Sequence, residues 1–248
     1  MTHEQILDKL KIDTEYYGEF GKKYLSQSDI YTLINEPHMY HVEKLETAEN
    51  VKNFEVGKYF HYLMLEPDKA KEYEIVDIKS RRSKAFQEAW DNNKKSLTLE
   101  ESELAQRLAT SMQTNDFFSS YIYNKENKIE EPGLIKINDT EWKGKADIIT
   151  PEYVIDLKTT SDIHRFKYSF YSYFYSAQAW LYQQIFNKPV IFLVACKKTG
   201  LLGKFTIDSD KAKEHGENSV LKAIDNYNTY CSAEAMLNNK IYHVEHTL

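Results

Sequence analysis

The sequence predicts an α/β protein with a mixed central sheet flanked by helices and a helical N-terminal region. In residues 1–125, apolar residues recur mostly every three or four positions, which is typical of amphipathic helices. In residues 126–248, short β-prone runs alternate with turn residues and helical stretches, which favours a sheet with helices packed on it. No repeat or Gly/Ser-rich linker divides the 248 residues, so we expect a single domain over 1–248.

The N-terminal half contains helices whose ends are marked by capping residues. Ser26 or Ser28 can cap a short helix that ends before Pro37, and Pro37 begins the next helix. Thr98 and Glu101 have the spacing of a capping box at a helix start. Three longer helices are predicted over residues 51–65, 83–92 and 99–112.

The second half contains the predicted sheet. Three antiparallel strands are expected as a meander over residues 134–137, 142–149 and 153–158. The elements expected after them are an aromatic-rich helix over 166–186, a buried strand over 190–197, its hairpin partner over 202–207 and a helix over 208–238.

Composition narrows the class of protein. The formal net charge of −6 gives no sign of a nucleic-acid partner, and 14% aromatic residues with few Gly and Pro exclude collagen-like and disordered chains. Cys196 and Cys231 form neither a disulfide framework nor a paired metal motif, so we interpret both as structural thiols. The sequence shows no secretory signal and no apolar run of the roughly 20 residues that a membrane helix needs. We therefore expect a cytoplasmic protein without a membrane partner.

Two acids and a lysine carry the clearest chemical signal. In a strand, Asp156 and Lys158 lie on the same face, and Asp147 on the preceding strand can approach Asp156 across the turn. An isolated Asp-x-Lys is more often a surface ion pair. Here the acids are surrounded by apolar neighbours, where an unpaired charge would be costly. Two close carboxylates favour a bound cation, and oxygen ligands select Mg²⁺ or Mn²⁺.

Four short motifs occur in an order that resembles a known family. They are Gly57 to His61 on a helix, Gly144 to Asp147 on a strand, Asp156 to Lys158 on the next strand, and Gln178 to Tyr182 on the following helix. Together they resemble the PD-(D/E)xK nuclease superfamily, in its RecB-type and exodeoxyribonuclease VIII (RecE)-like branch. The resemblance extends over about residues 25–182 and implies a restriction-endonuclease-like core.

The resemblance implies a metal site with a nearby lysine. Asp147 and Asp156 would ligate Mg²⁺, or Mn²⁺, and the backbone carbonyl of Leu157 would complete the protein ligands. Lys158 would orient or help to deprotonate the attacking water and would offset the developing negative charge.

Further residues of the implied site are less completely specified. A third acid is expected before the meander, and we prefer Glu131 while Glu130 stays open. His61 shares a helical face with Gly57 and could reach the metal or the phosphate; the alternative is a structural histidine. Gln178 and Tyr182 share another face and could bond the DNA backbone or the carboxylates, with core packing as the alternative for Tyr182.

The implied activity is that of a Mg²⁺-dependent deoxyribonuclease. The family favours a phage or prophage 5′→3′ exonuclease that acts on double-stranded DNA ends in recombination or repair, in the cytoplasm of a bacterial host. Such enzymes often form homo-oligomeric rings and work with a single-strand annealing protein. The alternatives are an endonuclease or Cas4-like nuclease and a non-catalytic DNA-binding module. Two separated cysteines argue against the iron–sulfur cluster of the Cas4-like version.

Two surface features fit a role in DNA handling. Lys79, Arg81, Arg82 and Lys84 form the densest basic run, and we expect them to bind DNA, although most such runs are simply solvated. The aromatic stretch 168–175 could stack on bases of separated strands, although aromatic helices more often form a core or an oligomer interface.

Overall fold

The main sheet confirms the predicted α/β class. The computed structural model describes residues 1–45, 55–238 and 240–243. The strands of these residues are β1 (Glu74–Val76), β2 (Ser96–Thr98), β3 (Lys128–Ile137), β4 (Thr140–Ile149), β5 (Val154–Thr160), β6 (Val190–Cys196) and β7 (Leu202–Thr206). Five of them form one mixed sheet in the order β3-β4-β5-β6-β7, in which only β5 and β6 are parallel. β1 and β2 form a separate parallel pair that was not predicted, because three-residue strands are too short to show periodicity.

Helices surround this sheet. In the described parts of the chain they are α1 (His3–Leu10), α2 (Asp13–Tyr16), α3 (Ile30–Asn35), α4 (Tyr40–Leu45), α5 (Glu55–Leu65), α6 (Pro67–Ala70), α7 (Lys84–Asn92), α8 (Leu99–Gln113), α9 (Asp116–Ile122), α10 (Phe166–Ser172), α11 (Tyr175–Phe186), α12 (Asp210–Asn226) and α13 (Ala233–Leu237). None of these helices has the length and apolar character needed to cross a membrane.

The capping residues act largely as predicted. Ser26, and not Ser28, is the cap, and with Asp29 it forms a capping box at a single 3-10 turn that leads into α3. Thr98 and Glu101 form the capping box of α8, in which the Thr98 side chain accepts from the Glu101 N–H. Residues 51–54 of the helix predicted over 51–65 lie outside the described residues, and the remainder is α5.

Two predicted helices are interrupted, so the boundaries over 166–186 and 208–238 were wrong. The first is divided between α10 and α11 by Phe174, whose φ of 55° is left-handed. The break lets aromatic side chains from both helices contact Phe192 on β6. In the second predicted helix, the α-helical part α12 ends at Asn226 and is followed by a π-helical turn over Tyr227–Cys231. Ser232 then caps the separate helix α13.

The core lies on both faces of the sheet. On one face, α5, α8 and α9 pack against alternate residues of β5 and β6 such as Leu157 and Leu193. On the other face, α10 and α11 pack against Val154 and Phe192. Both faces of the central strands are therefore covered, and a charged side chain on β5 must find its partners inside the protein. Cys196 and Cys231 are both buried.

Candidate active site

The site is centred on a fork between β4 and β5. These strands pair only at Ile148 with Ile155 and at Ile149 with Val154, and then they separate. Continuing this register places Asp147 opposite Asp156. The Asp147 carboxylate occupies the fork and accepts the backbone N–H of Leu157 at 2.6 Å. The Asp147 carboxylate therefore accepts the Leu157 N–H that has no partner on β4 once the strands separate.

The third acid at the fork is Glu130, which corrects our preference for Glu131. The β3–β4 register places Glu130 opposite Asp147, and Glu130 has a left-handed φ of 52°. The strand is locally distorted there, and the Glu130 carboxylate joins the fork. Glu131 instead lies 3.8 Å from the ammonium of Lys11, in a partly exposed ion pair. Adjacent strand residues point to opposite faces, so only one of the two acids can reach the site.

His61 completes a group of potential metal ligands. Its Nδ1 lies 3.4 Å from Oδ2 of Asp147, and ligand atoms of His61, Glu130 and Asp147 all lie within 4.8 Å of one another. Burial raises the pKa of Glu130 to about 8, and repulsion from Asp147 adds to the rise. Burial raises the pKa of Asp147 to about 6, with His61 opposing the rise and Asp156 adding to it. A bound cation would stabilise the ionised form of both Glu130 and Asp147 and so lower both pKa values. This donor set therefore fits a divalent metal ion.

Replacing Glu130 with Gln should weaken Mg²⁺ binding by about tenfold or more, since loss of a supporting group alone typically costs that much. Glu131→Gln is the matched control, because it makes the same change one residue away on the other face, and it should leave the affinity unchanged. Calorimetric titration of each variant with Mg²⁺ measures the difference. Equal losses in both variants would contradict the assignment of Glu130.

Mg²⁺ affinity should rise with pH because the cation must displace protons from the raised-pKa acids. Between pH 6 and pH 8 the affinity should increase about tenfold per pH unit for each proton displaced, and it should level off above pH 8. Titrations in buffers of different ionisation enthalpy would also show the released protons. An affinity that is constant from pH 6 to pH 9 would contradict proton-coupled binding.

Asp156 and Lys158 form a buried pair beside this group. The Lys158 ammonium lies 2.5 Å from Oδ1 of Asp156, which is only 2% exposed, and the Gln178 amide donates to Oδ2 at 2.6 Å. Tyr182 donates its hydroxyl to the Lys145 carbonyl at 2.7 Å and accepts from Gln178 at 3.3 Å. The Gln178-to-Tyr182 motif therefore holds Asp156 in place. Both Asp156 oxygens are engaged, so its role as a metal ligand, and that of the Leu157 carbonyl, stay predictions.

A glycine pair brings α11 close to the sheet. Gly133 on β3 lies opposite Gly144 on β4, and α11 crosses both. A Cβ on Gly144 would come within 2.8 Å of the Tyr182 ring, and one on Gly133 within 2.2 Å of the Ile185 side chain. These glycines allow the close approach that places Gln178 next to Asp156. Gly57 has no such role, since its nearest neighbour would be 4.0 Å away.

An ion cluster that sequence reasoning missed lies next to the fork. Lys145, almost fully buried, pairs with Asp13 at 2.6 Å, and Lys69 pairs with both Asp13 and Glu66. The two lysines lower the pKa of Glu130, against the larger effect of burial. Lys145 lies inside the Gly144-to-Asp147 motif and could have been suspected. Nothing in the local sequence marks Asp13, which lies 132 residues earlier in the chain.

The predicted basic run lies in another part of the fold. Arg81 pairs with Glu101 at 2.6 Å and Lys84 with Glu88 at 3.6 Å, whereas Lys79 and Arg82 are exposed. The run precedes α7, which packs on the β1–β2 pair. DNA binding by these four residues stays a prediction.

Comparison with known proteins gives two kinds of match. The model of a family described as a PDDEXK-like domain of unknown function (DUF3799) matches residues 27–234. A crystal structure from Eubacterium rectale that carries the name "putative exonuclease" matches with a TM-score of 0.61 and 15% identity, over 95% of this chain and 96% of that one. The structure of SSO0001 matches with a TM-score of 0.41 and 14% identity, over 94% and 97% of the two chains. No curated protein matches the sequence.

Proposed function

Because the chain belongs to the family of PDDEXK-like domains called DUF3799, we propose that it is a divalent-metal-dependent deoxyribonuclease that hydrolyses phosphodiester bonds. One observation supports this most strongly. Elements that are distant in sequence bring an imidazole and two carboxylates within 4.8 Å, beside the ion pair of Asp156 and Lys158. The resemblance to PD-(D/E)xK nucleases implies acids and a lysine around a cation, and these residue types meet here.

The residues that would hold the metal ion are Glu130, Asp147 and His61, with Asp156 as the predicted fourth. Mg²⁺ fits the carboxylate oxygens best, and the imidazole also suits Mn²⁺. When bound, the ion would lower the pKa of the attacking water and offset the charge that builds on the phosphate. In the described residues, two buried acceptors at this place lack a hydrogen-bond donor: Oε1 of Gln178, and Oδ1 of Asp156, which has only the ion pair with Lys158.

Lys158 acts as a fixed positive charge. Burial lowers the pKa of Lys158, but Asp156 and Asp147 outweigh burial and raise it overall, so the ammonium is protonated at neutral pH. Its Nζ also lies 4.9 Å from the ring centroid of Tyr175 and 5.7 Å from that of Phe192, which restricts its position. We propose that the Lys158 ammonium orients the attacking water and stabilises negative charge on the phosphate. It does not take a proton from the water.

The finer proposal is a 5′→3′ exonuclease that acts on double-stranded DNA ends in recombination or repair. Its support is the four-motif resemblance to exodeoxyribonuclease VIII-like enzymes. A homo-oligomeric ring, a single-strand annealing partner and a phage origin belong to the same proposal and rest on the same resemblance.

The test uses two DNA substrates of identical sequence, a linear duplex labelled at its 5′ ends and a covalently closed circle. With Mg²⁺, an exonuclease of the proposed polarity releases labelled nucleotide from the linear duplex at once and leaves the circle intact, and EDTA stops the release. Cutting of the circle would favour the endonuclease alternative. No product from either substrate would favour the non-catalytic DNA-binding module.

A further inference from the structure

A polar cavity lies where β5 and β6 end, next to the candidate active site. Its volume is about 290 Å³. The lining residues on which the inference depends are Thr160, Asp162, Arg165, Tyr168, Ser169 and Lys198. Thr160 follows Lys158 by two residues on β5, so the two side chains point to the same face about 7 Å apart. The cavity is therefore adjacent to the lysine of the active site.

The charge of the cavity is positive. Arg165 and Lys198 are exposed, and within the described residues neither forms an ion pair. The one acid of the lining, Asp162, uses its carboxylate to accept the backbone N–H groups of His164 and Arg165 at 3.0 and 3.3 Å. The lining thus has two cations and one acid, and the carboxylate of that acid already accepts two backbone N–H groups. The net positive charge favours binding of an anion.

An exposed aromatic ring borders the same cavity. Tyr168 is 61% exposed, and the Lys167 ammonium lies 5.1 Å from its ring centroid. Tyr173, which directly follows the end of α10, is 60% exposed. Large exposed aromatic side chains beside unpaired cations are the pattern by which proteins bind single nucleic-acid strands, through stacking on bases and contact with the backbone.

We propose that this cavity binds a backbone phosphate of the DNA strand that enters the active site, through Arg165 and Lys198, while Tyr168 stacks on a base of that strand. The inference rests on the proposed function and specifies where the substrate strand runs. It places the strand along the end of β5, next to the lysine of the candidate active site, whereas the basic run precedes α7, which packs on the β1–β2 pair.

Fluorescence anisotropy with labelled single-stranded DNA, in EDTA to prevent cleavage, tests the site. The double variant Arg165→Ala/Lys198→Ala should bind DNA about tenfold or more weakly, and the slope of log K against log salt should be shallower by about 0.7, since the single-strand phosphate contact that it loses contributes about 0.7. Lys136→Ala/Lys222→Ala removes the same charge at exposed positions elsewhere and should keep the wild-type slope. Equal slopes in the two double variants would overturn the proposal.

Tyr168 gives a second, independent readout. Tyr168→Leu should weaken single-strand binding about fivefold or more, whereas Tyr168→Phe should bind like the wild type because the stacking ring is kept. If the wild type cleaves DNA but these variants and the double variant all bind normally, the cavity proposal fails and the nuclease proposal stands. If the wild type binds through these residues without cleaving, the nuclease proposal fails and the strand site stands. A wild type that binds no DNA overturns the cavity proposal.

Discussion

Asp147→Asn is expected to reduce DNA cleavage by at least about 1,000-fold, since a metal ion contributes several kcal/mol to this kind of reaction and each 1.36 kcal/mol is tenfold in rate. The substitution keeps the side-chain volume and an oxygen that can still accept the Leu157 N–H at the fork. It removes the charge that faces His61 and Glu130. The rate of nucleotide release from linear duplex and a calorimetric Mg²⁺ titration should therefore fall together.

The control for this substitution is Asp139→Asn. Asp139 lies at the exposed turn between β3 and β4 with a left-handed φ of 65°, a conformation that Asn accepts readily. The Asp139→Asn variant should cleave DNA and bind Mg²⁺ like the wild type. An Asp147→Asn enzyme that retains more than about a tenth of wild-type activity would exclude Asp147 as an essential ligand, because loss of even a supporting group typically costs tenfold.

Lys158→Met is expected to lower the catalytic rate by about 100-fold to 10,000-fold while leaving Mg²⁺ binding intact, in line with the loss of one positioned catalytic group. Methionine keeps most of the apolar stem against Tyr175 and Phe192 but removes the charge next to Asp156. Because a competing positive charge is gone, Mg²⁺ should bind at least as tightly as in the wild type. The loss should appear in kcat and not in KM.

The combination of slow cleavage and intact metal binding separates two roles for Lys158. A lysine that serves only as the ion-pair partner of Asp156 would, when replaced, change folding stability but not the rate of the folded enzyme. Thermal unfolding of Lys158→Met, measured beside its kcat, distinguishes these cases. A wild-type kcat in a folded variant would contradict the electrostatic role in catalysis.

Much of the site could be predicted because it depends on local periodicity. Asp156 and Lys158 share a strand face, and Gln178 and Tyr182 share a helix face, so their types and spacing already indicate which side chains meet. The fork itself could not be predicted. It depends on where β4 and β5 stop pairing, which is fixed by the packing of whole elements and not by the residues at the fork.

The choice between Glu130 and Glu131 shows why the rest of the candidate site could not be predicted from the sequence. The two acids are adjacent and chemically equivalent, and the left-handed φ of Glu130 decides which one reaches Asp147. Nothing in a Glu-Glu-Pro sequence announces that conformation, which is uncommon for a residue with a side chain. The helix break at Phe174 was missed for the same reason, since no Gly or Pro marks an interruption between residues 166 and 186.

The most direct test of a metal-dependent nuclease is the initial rate of phosphodiester hydrolysis by purified wild-type protein on linear duplex DNA, in Mg²⁺ and in EDTA, with Asp147→Asn purified in parallel to exclude a contaminating nuclease. We expect hydrolysis by the wild type in Mg²⁺ alone, and none above background in EDTA or with Asp147→Asn. Equal rates with and without Mg²⁺, or equal rates for wild type and Asp147→Asn, would contradict the assignment of the fork as the catalytic centre.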